Sequence, residues 1–226
     1  MRQTELGSAV AQVAETIQEK SHLLQATFFP ELMHIELDSS QSDYPMPRSN
    51  FSPVTNDQIH WVISKLGPYK APGPDGTHNV VLMQYVGLLM PHLGPIYRTM
   101  FKLGIYPDWW KELVTIVLRK PTKPDYMVPI AHQHIAMLNM MAKVLSTCIA
   151  EDLVQVAKMC NLLPSNHFGC HPRRMTSDSL HYVTTSVKNT WRRKEVISAL
   201  FLDIKGTCPN VVLSWLIHNM RKRGVP

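Results

Sequence analysis

Cysteine is scarce in this sequence, and the few cysteines present are not paired in any metal-binding motif. The chain of 226 residues has four, at Cys148, Cys160, Cys170 and Cys208, with no Cys-x-x-Cys spacing. Such wide and uneven spacing argues against the disulfide framework of a secreted protein. We therefore interpret the cysteines as reduced thiols and predict an intracellular protein, in either the nucleus or the cytoplasm.

The sequence also has no obvious apolar leader and no long uninterrupted apolar run. Residues 1–16, MRQTELGSAVAQVAET, contain no apolar core of the kind found in a signal peptide. The most apolar later stretch, residues 80–97, is interrupted by Gln84, Pro91 and His92. We therefore predict no membrane-spanning segment and no membrane partner.

The overall composition is that of a folded, basic protein. Hydrophobic residues make up 45% of the chain, which is enough to build a core. The formal net charge is +6 and the sequence pI is about 9.2. A positive balance of this kind permits an anionic partner, and nucleic acid is the first candidate.

Hydrophobic periodicity and turn residues predict an α+β chain that is mostly helical. The predicted helices cover residues 8–29, 55–65, 79–90, 94–103, 139–159, 176–193 and 209–223, and the predicted strands cover residues 112–118 and 196–202. Thr55 and Gln58 form a capping-box pattern, Thr176 or Ser177 is the expected cap of the sixth helix, and Gly224 is the expected stop of the last.

The segment KAPGPDG at residues 70–76 is the most unusual local sequence in the chain. Two prolines and two glycines within it exclude helix and strand and enforce a turn. Lys70 and the backbone N–H groups near the glycines could face phosphates. A plain loop between helices explains the same residues.

The segment VISALFLDIKGTCP at residues 196–209 predicts a buried strand that ends on one carboxylate, Asp203. An aspartate at the end of a buried strand is a common ligand of Mg²⁺, which prefers carboxylate oxygens on a rigid base. A solvated aspartate at a strand end is the alternative. Similarly, Arg119, Lys120 and Lys123 follow the first predicted strand and could meet a triphosphate, or could be the solvated tip of a hairpin.

These motifs, taken in order, resemble the reverse transcriptase of non-LTR retrotransposons of the long-interspersed-element type. The matching pieces include KAPGPDG at residues 70–76, His167-Phe168-Gly169 with Arg174 and Thr176, and FLDIKG at residues 201–206. The resemblance extends over nearly the whole chain and corresponds to a truncated N-terminal portion of that domain.

The resemblance implies a partial right-hand polymerase with an incomplete sheet. Residues 1–54 would form an upstream helix and a Pro-rich arm, residues 55–195 the fingers, and residues 196–226 the first palm strand and the helix after it. In this family, carboxylates from two palm strands hold Mg²⁺, and Asp203 matches the first catalytic and metal-binding one. Lys120, Gln133 and Arg174 would contact the nucleotide or an RNA or DNA template and primer, with no small-molecule cofactor.

Several departures from the family pattern predict that this chain has no polymerase activity by itself. The sequence contains no Asp-Asp pair, and no acidic residue follows Asp203. Gln133 stands where the family has an arginine that grips the triphosphate, and Thr207-Cys208 replace an alanine and an aromatic residue. The template-gripping motif and thumb are missing as well, so we expect Mg²⁺ not to be bound stably.

Two other classes of function remain open. A nucleic-acid-binding module could use the residual basic surface of the fingers, and a zinc module could use scattered histidines and cysteines. The basic clusters are at residues 119–120, 173–174, 192–194 and 221–223, and the candidate zinc ligands are His132, His134, Cys160, His167, Cys170 and His171. Solvated helix ends would explain the basic clusters equally well.

Overall fold

The computed structural model describes residues 14–32, 43–169, 171, 173–204 and 206–226. Helices dominate these residues, together with one short 3₁₀ turn and one antiparallel sheet. The elements are α1 (Ile17–Phe28), α2 (Asn56–Ser64), α3 (Asn79–Leu103), α4 (Asp108–Lys111), β1 (Leu113–Arg119), the 3₁₀ turn Pro129–Ala131, β2 (His132–Leu138), α5 (Met140–Met159), α6 (Thr176–Arg192) and α7 (Leu213–Lys222). This content confirms an α+β chain.

The chain divides into two compact units. Unit 1 combines residues 1–36, 51–150 and 209–212, and unit 2 combines residues 37–50, 151–208 and 213–226. Helix α5 begins in unit 1 and ends in unit 2.

The first two helices of unit 1 begin at threonine caps. The Thr16 hydroxyl accepts from the backbone N–H of Glu19, whose carboxylate accepts in return from the N–H of Thr16. The Thr55 hydroxyl accepts from the N–H of Gln58 at 3.1 Å, as the sequence predicts. The predicted helix 8–29 therefore starts later, at Ile17, and its residues 8–13 lie outside the described part of the chain.

The two helices predicted over residues 79–90 and 94–103 form one helix, α3. Pro91 and Pro95 lie inside it, and its one non-helical residue is Tyr85 (φ −105°, ψ 15°). The helix is therefore kinked, but at Tyr85 and not at the predicted break near Pro91. Each proline removes a single helical hydrogen bond, and core contacts by Leu82 before the prolines and Tyr97 after them hold the helix there.

Helix α3 also bears on the membrane prediction. It is the one helix among the described residues that is long and apolar enough to cross a membrane, with 25 residues and a mean hydropathy of 1.3 over its most apolar window. The core helix of a folded domain passes the same test, and α3 contributes Leu82, Leu93, Tyr97 and Met100 to the core of unit 1. The absence of a membrane partner stays a prediction.

The core of unit 1 lies among α2, α3, α4 and the first half of α5. It includes Val54, Ile59, Val62, Ile63, Leu82, Leu93, Tyr97, Met100, Trp110, Met140, Ala142, Val144, Leu145 and Cys148. The Tyr97 hydroxyl donates to the Met141 carbonyl at 2.8 Å, and the Tyr97 ring meets Trp110 edge-on at 6.0 Å. Trp110 is therefore part of the core, whereas Trp109 is exposed.

Strands β1 and β2 form an antiparallel pair whose register runs from Leu113 opposite Leu138 to Arg119 opposite His132. Helix α1 and β1 line an open groove of about 460 Å³. The ring of His134 on β2 lies 4.7 Å from Phe28 and 5.2 Å from Phe29, measured between ring centroids. These ring contacts join the end of α1 to the sheet.

The apolar segment 196–202 does not form the buried strand that we predicted. Residues 195–204 have no regular secondary structure and are all exposed, with Leu200, Phe201 and Leu202 at 82–85%. A strand is stabilised by hydrogen bonds to a neighbour, and the only strand pair among the described residues is β1 with β2. The partial polymerase architecture therefore stays a prediction.

In unit 2, the ends of α6 and α7 are defined by specific contacts. The N–H of Met175 donates to Asp178 Oδ2 at 2.7 Å, so α6 is capped from Asp178 and the predicted cap at Thr176 or Ser177 was wrong. Helix α7 ends at Lys222 and is followed by Gly224 with φ +81°, after which the N–H of Val225 donates to the Met220 carbonyl. That glycine stop was predicted correctly.

Candidate functional site

Lys120 and Gln133 lie at the same end of the sheet in unit 1. Gln133 is exposed and opposite Leu118, and the N–H of Lys120 donates to the Ala131 carbonyl at 2.9 Å. The Lys120 ammonium donates to the Ile130 carbonyl at 3.1 Å. The half-buried Lys120 therefore holds the β1–β2 connection, while Gln133 presents a neutral amide to solvent.

Arg174 lies just before α6 in unit 2 and is engaged locally. Its guanidinium donates to the carbonyls of Ser165 and His167 and stacks over Phe168, with 5.4 Å from the guanidinium carbon to the ring centroid. The Phe168 ring in turn contacts Tyr182 on α6 at 5.8 Å. Arg174 thus fastens the His167-Phe168-Gly169 segment to the start of α6, and its role toward a nucleotide stays a prediction.

Asp203 lies in the exposed segment 195–204 of unit 2. Two catalytic Mg²⁺ ions require several carboxylate oxygens converging on a rigid base. Across the described ranges, no group of three His, Cys, Asp or Glu side chains is placed to hold a metal ion. The residues around Asp203 therefore do not fit the two-metal site that the resemblance implies.

Two of the histidines considered as zinc ligands, His132 and His134, are used in packing. His132 is 9% exposed, its Nδ1 lies 3.3 Å from the Val128 carbonyl oxygen, and His134 lies against Phe28 and Phe29. Cys170, one of the two cysteines considered as zinc ligands, lies outside the described residues.

The segment 70–76 has a packing role that the sequence reasoning missed. A β-carbon on Gly73 would overlap the Leu138 carbonyl at the end of β2. Asp75 Oδ2 accepts from the N–H of Met140 at 3.2 Å, which satisfies one of the unpaired donors at the start of α5. This turn therefore packs against the junction between β2 and α5. In the sequence, the glycine within a rigid turn was the feature that could have predicted this contact.

A second feature missed from the sequence is the exposed indole of Trp191, near the end of α6. It is 67% exposed and is followed directly by Arg192, Arg193 and Lys194. The run of cations is evident in the sequence, whereas the exposure of the indole beside it is evident only in the structure.

Comparison with known proteins gives the class of protein to which the chain is similar. No family model matches the sequence. Curated proteins that match include RNA-directed DNA polymerases of mobile elements, with 24–27% identity over 68–82% of this chain, and a putative 115 kDa protein of a type-1 retrotransposable element, with 23% identity over 74%. The resemblance to reverse transcriptases of non-LTR retrotransposons is therefore confirmed.

Three relatives illustrate the match. The "Probable RNA-directed DNA polymerase from transposon BS" of Drosophila melanogaster is 25% identical, covering 82% of this chain and 20% of that protein. That from transposon X-element of the same species is 27% identical, covering 71% and 17%. The RNA-directed DNA polymerase from mobile element jockey of Drosophila funebris is 26% identical, covering 68% and 17%. The chain thus spans about a fifth of the length of these curated relatives.

Proposed function

We propose that this chain is a segment of a retrotransposon reverse transcriptase that carries the fingers region and the first catalytic aspartate, Asp203. The observation that supports this most directly is the match to RNA-directed DNA polymerases over most of the chain. The quoted motifs, above all KAPGPDG at residues 70–76 and FLDIKG at residues 201–206, support it further.

We propose further that these 226 residues do not polymerise DNA without additional polypeptide. Asp203 is exposed on an unpaired segment, and the sequence supplies no acidic residue after it. Losing the charge stabilisation of a two-metal site costs orders of magnitude in rate. The neutral Gln133 also cannot offer a charged bidentate fork to a triphosphate.

A primer-extension assay tests this proposal. The purified chain is incubated with poly(rA) template, oligo(dT) primer, labelled dTTP and Mg²⁺ or Mn²⁺, with an active retroviral enzyme as positive control. We expect no incorporation above background. Incorporation that disappears in Asp203→Ala would show that the chain is active and that this part of the proposal is wrong.

A second candidate function, nucleic-acid binding, is favoured by the distribution of charge. Unit 2 contains twelve lysine and arginine residues against seven aspartate and glutamate residues, so it carries +5 of the chain's net charge of +6. Its exposed basic residues include Lys158, Arg173, Lys188, Arg192, Arg193, Lys194, Arg221, Lys222 and Arg223. Binding of RNA or DNA to such a surface releases counterions, so log affinity should fall linearly with log salt concentration.

Fluorescence anisotropy with a labelled oligonucleotide across a salt series tests this function. We expect measurable binding at low ionic strength and a steep loss on salt addition. Absence of binding at the lowest salt concentration would rule out the nucleic-acid-binding function, whatever the result of the polymerase assay.

A further inference from the structure

The end of α6 presents a tryptophan that contributes little to packing. The preceding residue, Thr190, is 8% exposed, and its hydroxyl donates to the Ser186 carbonyl at 2.9 Å, so this side of the helix faces inward. Successive residues of a helix point about 100° apart. Trp191 therefore points away from the buried side, and its indole is 67% exposed.

Cationic residues flank Trp191 in the sequence at the end of α6. Lys188 lies three residues before Trp191 on the same face of α6, and Arg192 and Lys194 follow it; all three are exposed. Arg193 is neutralised by Glu195, with 2.9 Å between Arg193 Nε and Glu195 Oε2. Within the described ranges, no carboxylate lies within 4 Å of the other three cations.

Helix capping does not explain why a lysine stands at position 194. Lys194 has φ +59°, and its N–H donates to the Trp191 carbonyl at 2.9 Å. Glycine is preferred in this left-handed conformation after a helix, because a β-carbon there costs about 1–2 kcal/mol. Favourable interaction with the helix dipole accounts for a cation near this end, but it does not account for an exposed indole among three cations.

We propose that Trp191, with Lys188, Arg192 and Lys194, is a stacking site for an unpaired base of single-stranded RNA or DNA. This inference rests on the nucleic-acid-binding function proposed above. The indole offers a flat π-surface for one base, and the cations around it offer charge to the adjoining phosphates. Bases in a duplex are already stacked on both faces, so the arrangement favours single strands over duplexes.

Trp109 provides a matched control in the same chain. It is also 67% exposed, but it follows Asp108, whose carboxylate pairs with Lys111 at 2.7 Å, and Glu112 lies close by in sequence. Replacing either tryptophan removes an equally exposed indole, and the two sites differ in their local charge.

The experiment measures anisotropy of labelled oligo(dT), oligo(rU) and a DNA duplex of equal length with the full chain at low salt. We expect Trp191→Ala to weaken binding of both single strands by about 5- to 100-fold, the range given by base–aromatic stacking, and to leave duplex binding unchanged. Trp109→Ala should not change any of the three affinities. Trp191→Phe should retain most of the single-strand affinity, and Trp191→Leu, which keeps an apolar side chain without a π-face, should not.

Two results would overturn the inference, and they are distinguishable. If the native chain and Trp191→Ala bind single strands with equal affinity, the stacking site is refuted but the nucleic-acid-binding function is not. If the native chain binds none of the three oligonucleotides, both the stacking site and the nucleic-acid-binding function are refuted. Far-UV circular dichroism of each variant checks that α6 is preserved. If the alanine variant unfolds, Trp191→Leu serves as the readout, and single-strand affinity equal to that of the native chain would overturn the inference.

Discussion

Gly73 is the residue at which the turn 70–76 touches the rest of unit 1. Because a β-carbon there would overlap the backbone at Leu138, we expect Gly73→Ala to lower the free energy of unfolding by about 1–3 kcal/mol. Gly87, exposed in the middle of α3 with no atom near its would-be β-carbon, is the matched control. Gly87→Ala should raise stability by about 0.5–1 kcal/mol. Urea unfolding of both variants measures the change in the free energy of unfolding. The same change in both variants would show that Gly73 does not pack against the backbone at Leu138.

Tyr97 carries a buried hydroxyl whose protonation is linked to folding. Burial raises the pKa of this hydroxyl above its ordinary value, with smaller contributions from Cys148 and Tyr106. The folded chain therefore holds this proton more tightly than the unfolded chain does. The stability that it contributes is complete below the ordinary pKa of about 10 and is lost as the pH rises above it.

We therefore expect Tyr97→Phe to show two effects in urea unfolding. At neutral pH it should cost about 1 kcal/mol, because the hydrogen bond to the Met141 carbonyl is lost. Above pH of about 10 its stability should fall less steeply than that of the native chain. Tyr69→Phe, at a side chain 85% exposed, should leave the slope unchanged. An identical alkaline slope for the native chain and Tyr97→Phe would contradict this account.

At the scale of elements, the exposed segment 195–204 combines large apolar side chains with backbone that pairs with no strand among the described residues, which favours association between chains. We expect the double variant Leu200→Ser with Phe201→Ser to reduce self-association, measured by light scattering. Its stability should remain within about 0.5 kcal/mol of the native value, since both side chains are more than 80% exposed. Leu93→Ser, at a side chain 2% exposed, should by contrast destabilise unit 1 strongly. A large loss of stability in the double variant would mean that the segment is buried in solution.

The elements also show what the sequence could and could not predict. Helix α5 and strand β1 were predicted within a residue or so at each end, because α5 packs its apolar face into the core of unit 1 and β1 pairs with β2. Segment 196–202 has an equally apolar pattern but no neighbouring strand among the described residues. Hydrophobic periodicity predicts which residues could be buried. Their actual burial requires a packing partner or a neighbouring strand, which the local pattern does not specify.

Like the secondary-structure elements, the candidate site could be predicted from the sequence only in part. Lys120 and Gln133 were selected by resemblance, strand β2 was not predicted, and it is the register of β1 and β2 that puts the two residues at the same end of the sheet. The packing of Arg174 against Phe168 and the exposure of Trp191 depend on rotamers and neighbours, which local sequence does not specify. Asp203 was selected by its motif, and its surroundings are not those that the motif implied.

At the scale of the whole molecule, the two units differ in how much they bury. The large core lies in unit 1, whereas α7 has no buried residue and α6 has Thr190 alone. Local stability follows buried apolar contact. In native-state hydrogen exchange we therefore expect the amides around Val144, Leu145 and Cys148 to exchange slowest, and those of α6 and α7 much faster. Uniform protection across both units would contradict this expectation.

The exposure of segment 195–204 has a consequence for catalysis. Ordering a residue costs about 1–2 kcal/mol, so fixing a segment of this length costs on the order of 10 kcal/mol before Asp203 has a defined position. Burying Leu200, Phe201 and Leu202 under neighbouring strands would return roughly 1.5–3 kcal/mol each. Under the proposed function, pairing of this segment with a neighbouring strand would therefore also fix the position of the Asp203 carboxylate, so that strand pairing and metal binding would be thermodynamically coupled.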